Sequence, residues 1–305
     1  TIYNPSEFRW PLAISTSIDG LEYTTLNLIQ GEITPMRYGG NYKSYGPQYV
    51  RGIQEGNGVP ADGNLWVAYS MNKEDIWVSS IQVPIRQNAL TQADDNFDKY
   101  KSINELTEWN IYSPIWAPVS IENKNGANWL TLKDKDPFDF AKVERKIPAT
   151  SELEVSFKMM ADQADKDTLQ IEFLDENGIA CSRLDLNPDS FFRAKGGSRF
   201  SNMMKYEAGK VYDVKALLSV ANRSITVTVD GKRVGVRMFF APVHSIERVV
   251  FRTGAPRNFP TPETPADQDY DLPNAGAEDP MAAYYIKDVK TTAVNRKPSV
   301  ILTYD

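Results

Sequence analysis

Short runs of β-branched and aromatic residues, each closed by glycine, proline, asparagine or aspartate, recur along nearly the whole chain. This punctuation limits the fold more than any other feature, because strands of such length must pair and no segment holds a helical period long enough to compete. The densest group lies between Arg37 and Ile85, where Tyr49–Ile53, Leu65–Ser70 and Asp75–Ile81 read as three strands. The turn Asp62-Gly63-Asn64 and the loop Met71–Glu74 separate them. Upstream, Trp10–Ser17 and Tyr23–Ile29 read as two more strands, joined through Asp19-Gly20. The fold class expected is all-β.

Beyond residue 87 the pattern changes. Residues 88–105 are polar, carry Asp94-Asp95 and show no period, which reads as a linker with a single helical turn near Ser102–Leu106. From residue 106 to 305 about eleven strands follow at short spacing, among them Glu152–Met159, Thr168–Leu174, Ala180–Leu186, Ser224–Val229 and Ile246–Thr253. Asp175–Gly178 and Asp230-Gly231-Lys232 are hairpin turns. Many strands with tight turns and no helix predict an antiparallel β-sandwich. An acidic, proline-rich insertion at 255–280 interrupts it, and an insertion of that kind is a functional or a mobile loop.

Composition excludes several functions. A net charge of −6 and a sequence pI near 5.1 leave no basic stripe for nucleic acid. No run approaches the ~20 apolar residues of a membrane span. Cys181 is the one cysteine and His244 the one histidine, so neither a disulfide, a Cys–His dyad nor a zinc site is expected. No cofactor is expected, although the acidity of the 255–280 insertion suits the oxygen ligands of Ca²⁺. Fifteen Tyr and six Trp fit either sugar stacking or an all-β core. The chain opens on Thr1, which reads as a mature or truncated start, so the missing leader does not bear on compartment.

A four-stranded antiparallel unit makes one propeller blade, and residues 1–87 amount to about two blades of the roughly four to eight that close a ring. The run YGPQYVRGI, then EGNG, then NLWVAYSMNKEDIWVSSI followed by a proline resembles the closing blades of sialidase-like propellers. Ser17-Ile18-Asp19-Gly20-Leu21-Glu22-Tyr23 is similar to the Asp-box turn of those propellers, with one residue fewer between Asp and Gly. SITVTVDGKRVG and Tyr284–Lys290 resemble a hairpin and the last strand of concanavalin A-like, laminin-G-type jelly rolls. Together the resemblances imply the C-terminal blades of a carbohydrate-active enzyme, secreted, periplasmic or on the surface of a glycan-degrading bacterium. The other blades would come from another segment or chain. A poly- or oligosaccharide would be the partner, and an acidic or deoxy-sugar-containing glycan the substrate. Exo-acting hydrolysis is implied first and lyase elimination second. A non-catalytic glycan-binding or adhesion module is the contrasting reading.

Sialidase-type sites use a tyrosine nucleophile assisted by a carboxylate, with arginines gripping the acidic group of the substrate. The 37–75 stretch offers each type. Arg51, Glu55, Lys73 and Glu74 are the catalytic candidates, and Arg37, Tyr42, Tyr45 and Tyr49 the substrate-binding ones. Arg51 is the most pointed, since a charge between Val50 and Gly52 in mid-strand needs a partner or a ligand. Pairing with Glu55 or Glu74 inside the blade would serve it equally well, and Lys73 and Glu74 would also suit a solvated turn. In the sandwich, Trp109, Trp116 and the aromatic-basic stretch Phe191–Gly197 lie on or beside loops as a possible binding surface, with core packing as the alternative.

Overall fold

A computed structural model describes residues 1–7, 9–38, 45–53, 62–85, 90–254 and 275–294. The chain is all-β, and every strand pairing among the described residues is antiparallel. It divides into two units, Thr1–Asn88 with Pro256–Ala277, and Ala89–Ala255 with Glu278–Asp305.

The first unit holds two three-stranded sheets among the described residues: β1 (Ile2–Tyr3), β2 (Leu12–Ile14) and β3 (Asn27–Gln30), then β4 (Pro47–Ile53), β5 (Leu65–Met71) and β6 (Asp75–Ile81). Leu12, Val67, Tyr69 and Met71 form its small core. The connection from β2 to β3 contains the Ser17–Tyr23 segment. There the Asp19 carboxylate accepts N–H groups from Leu21 (2.8 Å) and Glu22 (3.0 Å), while Gly20 N–H donates to Ser17 Oγ at 2.8 Å. The backbone N–H groups of Glu22 and Leu21, with the Ser17 hydroxyl, hold the Asp19 carboxyl down at about 2. A short side chain with an acceptor oxygen, aspartate or asparagine, is what closes the turn this way.

In chain order the second unit runs β7 (Asp94–Asp95), a 3₁₀ turn (Ile103–Glu105), β8 (Trp109–Tyr112), β9 (Val119–Lys124), β10 (Ala127–Asp134), β11 (Lys142–Thr150) and β12 (Glu152–Ala161). It continues with β13 (Leu169–Leu174), β14 (Ala180–Leu186), β15 (Phe191–Gly196), β16 (Arg199–Lys205), β17 (Tyr212–Ser219), β18 (Ser224–Val229), β19 (Lys232–Met238), β20 (Ile246–Thr253) and β21 (Ala282–Ala293). One sheet has the order β19-β18-β17-β12-β21-β10-β9, with β7 paired to β21. The other has the order β16-β15-β14-β13-β20-β11-β8. Alternate side chains of both sheets, including Phe157, Phe173, Phe192, Leu218, Phe251 and Tyr284, make one apolar core, so the unit is sandwich-like.

Three places differ from the sequence reading. The polar stretch read as a linker is built into the second unit: β7 lies on β21, and Ala93 and Phe97 are buried in the core. Most of the stretch 191–197, read as lying on or beside loops, is strand β15 (Phe191–Gly196), with Phe192 and Ala194 inward and Phe191, Arg193 and Lys195 outward. Trp109 likewise opens β8 and is buried, donating from Nε1 to Asp95 Oδ2 at 3.0 Å. Cys181 is fully buried in the core, and burial pushes its thiol up to about 12, which leaves it unreactive at neutral pH.

Candidate functional site

The first unit gathers four of the sequence candidates into one corner. Asn72 and Lys73 take left-handed φ values of 54° and 56° in the β5–β6 turn, closed by Glu74 N–H to Met71 O at 2.9 Å. Glu74 then accepts the backbone N–H of Arg37 on Oε2 (3.0 Å) and that of Tyr38 on Oε1 (2.9 Å). The Arg37 guanidinium donates to Ala275 O at 3.4 Å. Tyr45 O accepts from Gln48 Nε2 at 3.0 Å.

The residue that ties this corner together is Asn72, which the sequence reading did not single out. It is buried, accepts Gly46 N–H on Oδ1 at 2.8 Å and donates to Thr34 Oγ1 at 2.7 Å. Its signal was present: asparagine in a hairpin loop is the residue that tolerates the left-handed region and bonds locally.

Tyr49 and Arg51 lie farther along β4. Both are exposed, and Tyr49 takes φ 54° within the register shift between Gln48 and Arg51. Arg51 sits opposite Ala68, on the sheet face that also carries Ile53, Trp66, Ile76 and Val78. Among the described residues it makes no hydrogen bond or ion pair. Tyr42 and Glu55 lie outside the described residues.

The second unit offers a different surface. On the outer face of the seven-stranded sheet, cross-strand register aligns Gln170, Asp185, Arg193 and Asn202 in one row. The next row holds Glu172 and Arg183, then Lys195 opposite Phe200. Arg193 grips the buried Asp185 with two bonds, Nε to Oδ1 at 2.8 Å and Nη2 to Oδ2 at 2.6 Å. Arg183 pairs with Glu172 at 2.5 Å. The Arg193 guanidinium stands over Phe200 at 4.7 Å, and Arg183 and Lys195 stand over Phe240 at 5.5 and 4.4 Å.

A third feature is a buried acidic group where β10, β13 and β20 come together. Asp134 Oδ1 accepts Asp136 N–H at 2.8 Å and Oδ2 accepts the Thr253 hydroxyl. Burial, then the charge of Asp167, pushes the Asp134 carboxyl up to about 8. Burial also carries Asp167 to about 6, with the charge of Asp279 adding to it against the N–H groups of Thr168 and Gly254. Asp134 is therefore largely protonated at neutral pH. No group of three acidic, histidine or cysteine side chains among the described residues is arranged to hold a metal. Most of the insertion proposed for Ca²⁺ lies outside the described residues.

Comparison with known proteins places these features. The family model for the sialidase-like, CBM domain matches residues 109–268, which contain the outer face just described. A solved structure named Sialidase is 70% identical with a TM-score of 0.87, covering 96% of this chain. The match takes in only 27% of that protein. An apo Crh5 transglycosylase (11% identity, TM-score 0.48, 68% of this chain and 86% of that one) is more distant. So is a GH131 β-glucanase catalytic domain from Podospora anserina (14%, TM-score 0.47, 68% and 98%). Nothing about this chain follows from those two. No curated protein matches the sequence. By the match over residues 109–268, the chain belongs to the sialidase-like, CBM domain family.

Proposed function

We propose that this chain is a segment of a secreted glycan-degrading enzyme. In this reading the first unit contributes blades to a propeller completed elsewhere in the protein, and the sandwich-like unit binds glycan. One observation carries it. Twelve of the eighteen large apolar side chains that stand exposed among the described residues belong to the first 88 residues, with Ile18, Leu21, Ile76 and Tyr49 the barest. A surface that apolar is built to be covered. β4 and β6 each leave one edge unpaired among the described residues, which suits continuation by further structure.

The substrate in this reading is an acidic or deoxy-sugar-containing glycan, cleaved by exo-acting hydrolysis, with Arg51 gripping its anionic group and Tyr49 beside it. Glu74 suits a different role from proton transfer, since both oxygens hold the amides that place Arg37 and Tyr38. That arrangement favours the second reading, a glycan-binding module whose catalytic groups, if any, lie outside this chain. The test is digestion of a glycan panel by the full-length gene product beside its Arg51→Ala form. Sugar release that disappears with Arg51 supports a site in the first unit. Release that survives moves the site elsewhere in the protein. Binding without release by either form leaves the module alone standing.

A further inference from the structure

We infer that the outer face of the seven-stranded sheet carries a binding site for a carboxylated sugar, with Lys195 receiving the carboxylate and Phe200 and Phe240 framing the ring. The inference rests on the glycan-binding reading above and assigns it a place and a ligand class. It begins from a half-buried cation on this face that has no ion pair of its own among the described residues. Arg183 has Glu172 and Arg193 has Asp185, each within 2.6 Å. Lys195 has no ion-pair partner among the described residues.

In the other sheet Lys124, Lys133, Lys158, Lys215, Lys287 and Lys290 each stand within salt-bridge distance of a carboxylate among the described residues, whereas the exposed Lys232 of β19 does not.

Lys195 is also placed against its own interest. The pairing Leu184 to Ala194 and Asp185 to Arg193, continued by one residue, sets Lys195 across from Arg183 on the neighbouring strand. Like charges directly opposite each other destabilise a sheet. Burial, then the charge of Arg183, lowers the Lys195 ammonium below its ordinary value, against a smaller opposing pull from Glu172. An anion delivered between β14 and β15 relieves both penalties.

The surroundings fit a sugar better than a free ion. Lys195 Nζ lies 4.4 Å from the centre of the Phe240 ring, and Phe200 faces it across the β15–β16 pair. A pyranose set against the edges of these rings, over which Arg183, Arg193 and Lys195 already stand, brings a carboxylate bonded directly to a ring carbon to that ammonium. Asn202, exposed on the neighbouring row, offers an amide to ring hydroxyls, and Asp185 and Glu172 hold the guanidinium groups upright.

The test is calorimetric titration of this chain with polymers of a hexuronic acid and of a sialic acid, each beside its carboxyl-reduced form. The chain should bind at least one carboxylated polymer and lose that binding on reduction of the carboxyl groups. Lys195→Met should weaken it by about ten-fold or more, as expected for a charge-assisted contact, and Lys195→Arg should restore most of it. Both variants keep an extended, half-buried side chain on an outward strand position, and retention of the wild-type unfolding midpoint confirms the fold. Equal affinity for reduced and unreduced polymer, or Lys195→Met binding as the wild type does, overturns the assignment while leaving glycan binding intact. No binding to any of the four polymers, with release of sugar by the full-length protein, overturns it too and leaves only the enzymatic reading. A preference for sulfated over carboxylated glycan overturns the ligand class.

Discussion

Replacing Asp134 by asparagine should remove most of the loss of stability that the second unit suffers between acid and alkaline pH. The Asp134 carboxyl is carried from 3.8 to about 8 in the fold, so it stays protonated there while the unfolded chain ionises it. Its contribution to stability is complete below about pH 4 and drains away as pH rises through 8. At ~1.4 kcal/mol for each tenfold in acidity, the ceiling on that loss is about 6 kcal/mol. Local relaxation and water entry reduce it, and about 2–3 kcal/mol between pH 5 and pH 8.5 is the expected difference between the two proteins. Asparagine keeps an acceptor for the Asp136 N–H, removes the ionisation and turns the atom facing the Thr253 hydroxyl into a donor, a cost that does not vary with pH. Asp167, Asp136, Asp279, Thr253 and Tyr284 face the pair from neighbouring elements. They are present in both proteins, so the slope from Asp167, which has the same sign, largely subtracts out. Urea unfolding at a series of pH values, followed by tryptophan fluorescence, reads the difference directly. Parallel stability curves for wild type and Asp134→Asn across that range would falsify the account, because the carboxyl would then not be held protonated.

Two other perturbations address the first unit. Glu74→Gln turns one acceptor oxygen into a donor facing a backbone N–H, and should cost about 1–3 kcal/mol locally. Faster hydrogen exchange at Arg37 and Tyr38 reports it, and unchanged exchange with lost activity in the full-length protein points instead to a direct role in chemistry. An isolated fragment of residues 1–88 should self-associate through its bare face and open edges. Val78→Lys should reduce that association in sedimentation, whereas a monomeric, heat-stable wild-type fragment contradicts the proposal that this unit is covered in the complete protein.

Much of the sandwich-like unit was legible because its strands announce themselves. Ala180–Leu186, Ser224–Val229 and Ile246–Thr253 have the bounds read from the sequence, since glycine- and asparagine-bearing turns or a proline-marked loop border them. The Asp19 turn was legible for the same local reason. β15 was not, although Phe192 and Ala194 alternate with Arg193 and Lys195 as a half-buried strand requires. Its glycines and charges outweighed the period. The Lys195 site could not be read at all from spacing, because it arises from register: Arg183 and Lys195 become neighbours only when β14 and β15 pair. In the same way the value of Asp134 comes from Asp167 and Thr253, which are distant in sequence. Local signals specify strands and turns, whereas the charge environment of a residue is fixed by which strands meet.

The position of β21 bears on how such a chain is made. This strand lies between β10 and β12 and holds the eight-stranded sheet together, yet it is the last strand of the described chain. As the polypeptide leaves the ribosome, β10 and β12 must wait with bare edges for more than a hundred residues of further synthesis. Until residues 282–293 arrive, the two halves of that sheet have no common strand. The product is thus assembled around a gap, and the step that closes it comes at the end, when nearly all the rest of the domain is already available to receive it.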